Sequence, residues 1–373
     1  MRCMNPALQT TLEHIRHAAA HRLPLRIRGG GSKDFLGQRL QGEVLDTRGL
    51  CGIVSHEPTE LVVTAQGGTP LAELEAVLAS KGQCLPFEPP HFGDATVGGM
   101  VAAGLGGPAR ASVGAVRDYV LGAQVINGRG EVLVFGGQVM KNVAGYDVSR
   151  LMAGAMGTLG VLAEVSLKVL PVAPAEATLR FDMDQVDALV ALHRWGGQPL
   201  PLNASCWVRD QGRNTLYVRL RGAVAAVDAA CRSMGGERLD TAIVAADWRA
   251  CGEQTLPFFI PPADMAEACL WRLSVPQTTP PQAVGGQGAD AQLLEWHGGL
   301  RWLWAPEGQA QAIRAAALAA GGHATLWRVA DGGERRHPAW APLTPPLLAI
   351  HQRLKAEFDP AGIFNPGRMY AEF

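Results

Sequence analysis

The sequence predicts an α+β fold that divides into two parts. Single cores rarely grow beyond about 250–300 residues, and this chain has 373. All nine tryptophans lie between Trp195 and Trp340, whereas more than half of the 45 glycines precede residue 176. Helices mixed with hairpins, rather than a regular strand–helix alternation, indicate α+β. We expect the boundary at the proline-punctuated stretch Leu170–Pro174.

The first part begins with a helix and continues with short strands. Thr69 and Pro70 supply an N-cap and a first-turn proline for a second helix, and Gly82 ends it. A glycine turn at Asn127–Gly130 joins a hairpin. The predicted elements are, in order, a helix at Asn5–His21, strands at Leu23–Arg28 and Leu61–Ala65, a helix from Pro70 to Gly82, a hairpin of Val120–Ile126 with Val132–Phe135, and a strand at Leu159–Leu170.

The second part shows two rounds of strands and helices. This pattern, over about 150 residues, predicts a ferredoxin-like antiparallel sheet covered by helices. The segment Gln277–Gly288 is rich in proline and glycine and is predicted to be a loop. The predicted elements are strands at Thr178–Phe181, Ser205–Arg209, Leu216–Arg219, Leu270–Val275 and Ala324–Val329, a hairpin across Gly298–Gly299, and helices at Asp184–Trp195, Ala223–Met234, Glu307–Ala320 and Pro346–Phe358.

Composition excludes several classes of protein. The 47% hydrophobic content excludes a disordered chain, and a net charge of −1 provides no field to hold a nucleic acid. The seven cysteines form no CxxC pair, which argues against an iron–sulfur or structural zinc site. His14, His17 and His21 share a helix face. Solvent-exposed polar side chains are favoured there over metal ligands, so we expect no metal. The longest apolar run, Ala95–Leu105, is too short for a membrane span. We expect a cytoplasmic protein.

Three glycine-rich loops follow or precede strands in the first part. Arg28–Lys33 has three consecutive glycines, which let backbone N–H groups converge on an anion, so a diphosphate is the natural occupant. A flexible surface turn is the alternative. Gly93–Gly107 is apolar and suits a flat ligand, and Gly154–Gly160 leads into a strand. Together they predict a long ligand held by main chain. A Rossmann motif at Gly104–Ala109 is disfavoured, because Gly98 interrupts the preceding strand and Pro108 the following helix.

In this order the segments resemble the vanillyl-alcohol oxidase/p-cresol methylhydroxylase (PCMH) flavoprotein family. Arg28–Lys33 resembles its pyrophosphate loop, and Ala95–Gly99 its A-T-I-G-G segment. Lys141–Asp147, followed by Gly157–Gly160, is similar to the K-N-x-x-G-Y-D…G-T-L-G run of the 2-hydroxy-acid branch. Phe358–Arg368 matches the F-D-P-x-x-x-x-N-P-G-[KR] tail of that branch, and Gly107–Gly122 is most similar to the FAD-binding subunits of bacterial glycolate oxidases.

The resemblance implies a two-part PCMH-type FAD-binding domain, residues 1–175 completed by residues 343–373, with a ferredoxin-like antiparallel α+β cap at residues 176–342. It implies FAD with its diphosphate on Gly29–Lys33 and its flavin edge near Thr96 and the tail. Some members attach FAD to a histidine near the loop, where this chain has Ser32 and Lys33, so we expect non-covalent FAD. The implied cofactor-binding residues are Arg28, Gly29, Gly30, Gly31, Ser32, Lys33, Asp94, Ala95, Thr96, Gly98, Gly99, Gly106, Gly114, Asp118, Val120, Gly157, Thr158, Gly160, Val161, Asn365 and Arg368.

The implied function is that of an FAD subunit in a multi-subunit glycolate (2-hydroxy-acid) dehydrogenase. Hydride would pass from substrate to flavin, and electrons onward to an iron–sulfur partner, with a second FAD subunit in the complex. Contact with the inner membrane would come only through these partners. The family's dehydrogenases carry H-x-G-D-G-N-x-H in the cap, which is absent here. The alternative is therefore a flavin-containing structural or electron-relay subunit.

The catalytic residues are not identified by the sequence. Oxidation of a 2-hydroxy acid needs a base for the hydroxyl proton and a cation for the carboxylate. His297, Arg301 and Arg117 are the candidates, and for His297 a structural or interface role is favoured over catalysis. Arg110 and Arg117 flank a glycine-rich loop and could bind an anion or pair with a local acid such as Asp118. The hairpin Trp296–Trp304 could belong to the core or form a docking face, and its arginine and tryptophan content, typical of interfaces, favours the docking face.

Overall fold

The computed structural model describes residues 6–137, 147–210, 212–265, 267–284, 286, 288, 291–329 and 335–373. The chain forms two compact units. Unit 1 comprises residues 1–105, 115–172 and 342–373, and unit 2 comprises residues 106–114 and 173–341. The segment Gly106–Gly114, which the sequence analysis grouped with the first part, thus belongs to unit 2. Within the described ranges, no helix combines the length and apolar composition needed to cross a bilayer.

Unit 1 contains nine strands and six short or medium helices among its described residues. The strands β1–β9 are Leu25–Arg28, Glu43–Asp46, Ile53–Glu57, Val62–Gln66, Gln83–Cys84, Val120–Ile126, Val132–Gly136, Val161–Lys168 and Leu170–Pro171. The helices α1–α3 are Pro6–His21, Leu71–Ala79 and Val97–Ala103; α5, α6 and α11 are Val116–Tyr119, Val148–Leu151 and Pro345–Phe358, and α4, Arg110–Val113, lies in unit 2.

Strands β3, β4, β8, β6 and β7 form a five-stranded antiparallel sheet in that order. The predicted hairpin is its β6–β7 pair, with Ile126 opposite Val132. Strands β1 and β2 form a separate parallel pair, and Leu25 also bridges to Phe364 in the tail. Helix α1 packs its buried residues Leu12 and Ile15 against a core that includes Phe364. The tail is therefore part of the core of unit 1.

Among the residues that the structure describes, unit 2 adds eight strands and four further α-helices. Strands β10–β17 are Ala175–Asp182, Leu202–Asp210, Arg213–Gly222, Glu237–Leu239, Ala268–Ser274, Leu293–Glu295, Leu300–Pro306 and His323–Arg328. Helices α7–α10 are Gln185–Gly196, Val224–Met234, Thr241–Gly252 and Ala310–Ala319.

These eight strands form one antiparallel sheet in the order β13-β10-β12-β11-β15-β16-β14-β17. Its first half, β10-α7-β11-β12-α8-β13, has the ferredoxin-like connectivity, and the second half repeats it with a loop in place of the first helix. Register pairs Cys206↔Glu295 and Trp207↔Leu294 join the halves. The structure confirms the predicted ferredoxin-like antiparallel architecture.

The two faces of this sheet differ in chemistry. Helices α7 and α8 cover one face over an apolar core containing Trp207 and Leu294, and α10 covers a second core containing Trp271. The opposite face carries buried aromatic and charged side chains. Trp296, Trp302 and Trp304 lie there and are buried. Of the two interpretations of this hairpin, the structure supports the core and not the favoured docking face, because its indole rings pack inside the unit.

Helix α3 is an element that the sequence analysis did not predict. It forms the central part of the glycine cluster from Gly93 to Gly107, which the sequence analysis expected to suit a flat ligand. Thr96 caps this helix by accepting a hydrogen bond from the Gly99 amide at 3.2 Å. The Gly98 amide donates to the carbonyl oxygen of Gly67, and a Cβ atom on Gly98 would lie 2.9 Å from that oxygen. Close packing on the sheet explains this glycine.

Candidate functional site

The loop after β1 presents four consecutive main-chain donors. The amides of Gly29, Gly30, Gly31 and Ser32 donate no hydrogen bond to any residue that the structure describes. Gly31 has φ +76°, a conformation that favours glycine. The Arg28 guanidinium lies beside the loop and donates from Nε to Asp34 Oδ2 at 2.7 Å. This geometry suits an anion bound by backbone N–H groups.

The loop packs directly on the segment Asp94–Thr96. A Cβ atom on Gly30 would lie 1.4 Å from the Asp94 carbonyl oxygen, and one on Gly29 would lie 2.3 Å from Thr96 Oγ1. A side chain at Gly30 would require the backbone to move, and one at Gly29 would require the Thr96 side chain to move. The glycines are therefore required by close approach, and the two sequence-predicted segments are brought together.

The Lys33 ammonium is directed toward protein groups and not toward the amides of the loop. It is buried, and its ammonium donates to Ser32 Oγ at 3.0 Å and to the His91 carbonyl oxygen at 2.9 Å. The ammonium also lies 5.5 Å from the Phe92 ring centroid. Lys33 therefore fixes the loop to the turn at His91, a residue distant in sequence but close in space. The imidazole of His91 bonds through Nε2 to Glu75 Oε2 at 2.9 Å.

The tail binds the same region through Asn365 and Arg368. Asn365 Oδ1 accepts from the Ile27 amide at 2.8 Å, and Nδ2 donates to the Met156 carbonyl oxygen at 2.7 Å. A Cβ atom on Gly157 would lie 2.5 Å from Asn365 Nδ2. Arg368 Nη2 donates to the Lys33 carbonyl oxygen at 2.8 Å. The tail thus links strand β1, the glycine loop and the Gly157 segment.

A buried lysine fixes the start of the tail. Lys355 Nζ donates to the carbonyl oxygens of Thr158 and Phe364, at 2.9 and 2.6 Å, and to Asp359 Oδ2 at 2.7 Å. Asp359 also accepts from the Phe364 amide at 2.7 Å. Burial lowers the pKa of Lys355, and the Asp359 carboxylate opposes that shift. The sequence analysis missed Lys355, because a lysine on a terminal helix has the pattern of a surface residue.

A charged pair at the end of β2 was also missed. Asp46 lies opposite Arg28 in the parallel register, and Arg48 Nη2 lies 2.6 Å from Asp46 Oδ2. The Arg48 hydrogen bond lowers the pKa of Asp46, and Asp46 and Asp94 raise the pKa of Arg48. The sequence analysis could not find this pair, because the parallel pairing of β1 and β2 that places it beside the loop is not visible in sequence periodicity.

Other predicted residues of unit 1 have structural contacts of their own. Asp118 Oδ2 accepts from the Ala115 amide at 2.8 Å, so it caps α5 rather than pairing with an arginine. A Cβ atom on Gly160 would lie 2.6 Å from the Ile126 carbonyl oxygen. Val120 and Val161 are buried first residues of strands, and Ala95 is buried beneath the loop. Arg117 is exposed and forms no hydrogen bond or ion pair within the described ranges.

Four predicted site residues belong to unit 2, namely Gly106, Gly114, His297 and Arg301. His297 has φ +57°, its Nε2 is 3.0 Å from Ser112 Oγ, and burial lowers its pKa to about 4. Arg301 is 1% exposed and donates to the carbonyl oxygens of Gly298, Thr279 and Pro280. Burial lowers the pKa of Arg301 to about 10. These contacts hold the 279–280 loop on the sheet. Of the family-like run Lys141–Asp147, only Asp147 lies within the described residues.

Comparison with known proteins identifies the family. A family model for an FAD binding domain, FAD_binding_4, matches residues 9–136. Over 365 residues, 98% of this chain and 97% of the relative, the sequence is 47% identical to glycolate oxidase subunit GlcE of Escherichia coli (strain K12). The chain belongs to the GlcE family.

Further relatives place the GlcE-family chain among FAD-linked oxidoreductases. Glycolate oxidase subunit GlcD of Bacillus subtilis (strain 168) is 32% identical over 170 residues, which is 45% of this chain and 36% of that protein. A solved alkyldihydroxyacetonephosphate synthase has the same fold, with a TM-score of 0.68 at 15% identity, covering 96% of this chain and 74% of that one. The predicted two-part PCMH-type fold is confirmed.

FAD is the cofactor of this GlcE-family chain. The residues present fit the group. The four amides at Gly29–Ser32 supply donors for phosphate oxygens, and the missing Cβ atoms keep the backbone accessible there. Backbone donors recognise a diphosphate without needing a lysine to contact it, which agrees with the inward orientation of Lys33.

Proposed function

We propose that this chain is the FAD-bearing subunit of a multi-subunit glycolate (2-hydroxy-acid) dehydrogenase. The observation that carries the proposal is the 47% identity to a glycolate oxidase subunit across nearly the full length of both chains. A second FAD subunit and an iron–sulfur subunit are the proposed partners. The GlcD relative, which matches over less than half of this chain and is also named as a glycolate oxidase subunit, supports a complex of more than one subunit.

The FAD diphosphate is held by the amides of Gly29–Ser32. Thr96 and Asp94 form the floor of that loop, and Asn365 and Arg368 connect it to the tail. Lys33 and Arg28 position the loop rather than neutralise the phosphates directly, since both are engaged by protein groups.

Bound FAD would supply the hydride acceptor for the substrate carbon. The protein must then bind the carboxylate, accept the hydroxyl proton and provide an exit for electrons. The cysteines lack the spacing of an iron–sulfur site, so the exit runs through a partner chain. We place the complex in the cytoplasm, with any membrane contact made by the partners.

Anaerobic addition of glycolate to the purified, FAD-loaded chain tests this function. Loss of the oxidised flavin absorbance is expected, and lactate and acetate serve as comparison acids, because acetate has no hydroxyl to oxidise. An unchanged spectrum with every 2-hydroxy acid, in a chain shown to contain FAD, would contradict a catalytic role for this chain alone.

The alternative is a structural or electron-relay subunit of the same complex. It is favoured by the positions of two catalytic candidates, since His297 is bonded to Ser112 and Arg301 to three carbonyl oxygens. Under this alternative, the unchanged spectrum would persist until the second FAD subunit is added, and glycolate would then reduce both flavins.

A further inference from the structure

Arg272 occupies an unusual position in the sheet of unit 2. It lies at the middle of β14, opposite Trp302 on β16 and Thr325 on β17. Its guanidinium carbon is 5.0 Å from the ring centroid of Trp296, 5.9 Å from Trp302 and 5.4 Å from Trp327. The side chain is half-buried, so part of it faces solvent. Three indole rings therefore surround one cation.

No residue in the described part of the chain accepts a hydrogen bond from this guanidinium or forms an ion pair with it. The other internal arginines of the sheet are satisfied: Arg219 donates to Asn203 Oδ1 at 2.7 Å, and Arg301 donates to three carbonyl oxygens. A guanidinium has five N–H donors, and leaving them without acceptors in a half-buried site is costly. Because part of the side chain faces solvent, these donors are available to an acceptor from outside the chain.

The surrounding charge favours an anion as that acceptor. Arg110 stacks on Trp296 at 4.5 Å, so two guanidinium groups lie near one indole. The Glu295 carboxyl group acts electrostatically on Arg272 and accepts a hydrogen bond from Trp302 Nε1 at 3.2 Å. Burial raises the pKa of Glu295 to about 7, so its charge is only partly present at neutral pH. Arg272 stays protonated, with a pKa of about 10.

We propose that Arg272, walled by Trp296, Trp302 and Trp327, is the binding site of a small carboxylate. A guanidinium matches the two oxygens of a carboxylate in one plane, and this match gives two parallel charge-assisted hydrogen bonds. Indole walls restrict the space beside the cation and exclude bulky anions. The identification of the occupant as a 2-hydroxy acid or its 2-oxo product rests on the proposed function, whereas the carboxylate site itself does not.

Oxalate binding to the oxidised, FAD-loaded chain tests the site, because oxalate has no hydrogen that can be removed as hydride. Calorimetric titration of the unmodified protein is expected to show saturable binding. Arg272→Met should weaken it about tenfold or more, and Arg272→Lys should retain part of it. Arg213→Met, which removes an exposed cation of the same unit, is the matched control and should bind as the unmodified protein does.

Inorganic phosphate and acetate complete the test. Acetate should compete with oxalate, and phosphate should compete at least about tenfold less well, since the three indole rings around Arg272 leave less room for a tetrahedral anion than for a planar carboxylate. Oxalate binding that survives Arg272→Met in a folded protein would overturn the proposal, and so would equal competition by phosphate. Arg272→Met should fold, because removing an unpaired charge from a half-buried site is not destabilising in general.

The outcome separates this site from the proposed function. If glycolate reduces the flavin and oxalate binding does not depend on Arg272, the proposed carboxylate site is contradicted and the proposed function is supported. If oxalate binding depends on Arg272 but no 2-hydroxy acid reduces the flavin, the carboxylate site is supported and catalysis by this chain alone is contradicted.

Discussion

The ammonium of Lys355 donates a hydrogen bond to the carbonyl oxygen of Thr158, at 2.9 Å and across 197 positions of the chain. The same ammonium is paired with Asp359, and both residues are buried. Asp359 in turn accepts from the amides of Ile363 and Phe364. A single buried ion pair therefore orients the tail whose next residues, Asn365 and Arg368, contact the glycine loop.

We expect Lys355→Met to destabilise unit 1 by roughly 3–5 kcal/mol, because it leaves the Asp359 charge buried without its partner. FAD binding should weaken as well, since the tail loses its anchor. Denaturant unfolding and FAD titration measure the two effects. Arg353→Met, on the exposed side of the same helix, is the control and should change neither. Equal effects of both variants would contradict the role given to Lys355.

Gly30→Ala should weaken FAD binding about tenfold or more, because the added Cβ atom must displace the Asp94 carbonyl oxygen and with it the loop. Gly137→Ala adds the same atom in open space and is the matched control. FAD titration of the apoprotein, followed by flavin fluorescence, gives both dissociation constants. Unchanged affinity of the Gly30 variant would show that the loop does not hold the diphosphate.

FAD should be dissociable. The loop positions are Ser32 and Lys33, and the nearby His91 has its ring bonded to Glu75. Acid precipitation is expected to give a colourless pellet and a yellow supernatant. Yellow colour that stays in the pellet of the unmodified protein but leaves that of His91→Ala would reveal covalent attachment at His91 and reverse this expectation.

The pKa of Glu295 gives unit 2 a defined pH dependence. Burial raises it from 4.5 to about 7, so the folded state binds more protons than the unfolded state between these values. Stability from this group is present below about pH 4.5 and decreases as the pH rises to about 7, by on the order of 2–3 kcal/mol. His297 acts with the opposite sign, because its lowered pKa of about 4 makes stability rise between about pH 4 and 6.5.

Glu295→Gln isolates the carboxyl contribution, because the amide oxygen can still accept from Trp302 Nε1. The stability difference between this variant and the unmodified protein should be small at pH 4.5 and should favour the variant increasingly up to about pH 7. Denaturant unfolding across this range measures the difference. A difference that does not vary with pH would show that Glu295 titrates as an ordinary carboxyl group.

Local patterns were sufficient for the strongly periodic elements. The hairpin at Val120–Gly136 and the closing helix at Pro345–Phe358 were predicted within a few residues, since turn glycines and hydrophobic spacing are encoded locally. Helix α3 was missed, because Gly98 and Gly99 are poor helix formers and packing against Gly67 outweighs their propensity. Helix α9 was also missed, although Asp240, whose side chain caps it, was a usable signal.

The site was only partly predictable for a related reason. The sequence suggested the glycine loop as an anion site, because three consecutive glycines allow backbone conformations in which neighbouring N–H groups converge. It could not show that Lys33 turns inward to the His91 carbonyl oxygen or that Trp302 is buried, because both depend on residues far away in the chain. Arg272 could not be predicted as a site residue, because the sequence of a strand does not show which side chains or acceptors surround an arginine within it.

The core that joins Leu12 and Ile15 to Ile363 and Phe364 has a consequence for biosynthesis. The packing of the first helix cannot be completed until residue 364 has been translated. All of unit 2 is synthesised before that point. Folding of unit 1 can therefore be completed only after unit 2 has been synthesised.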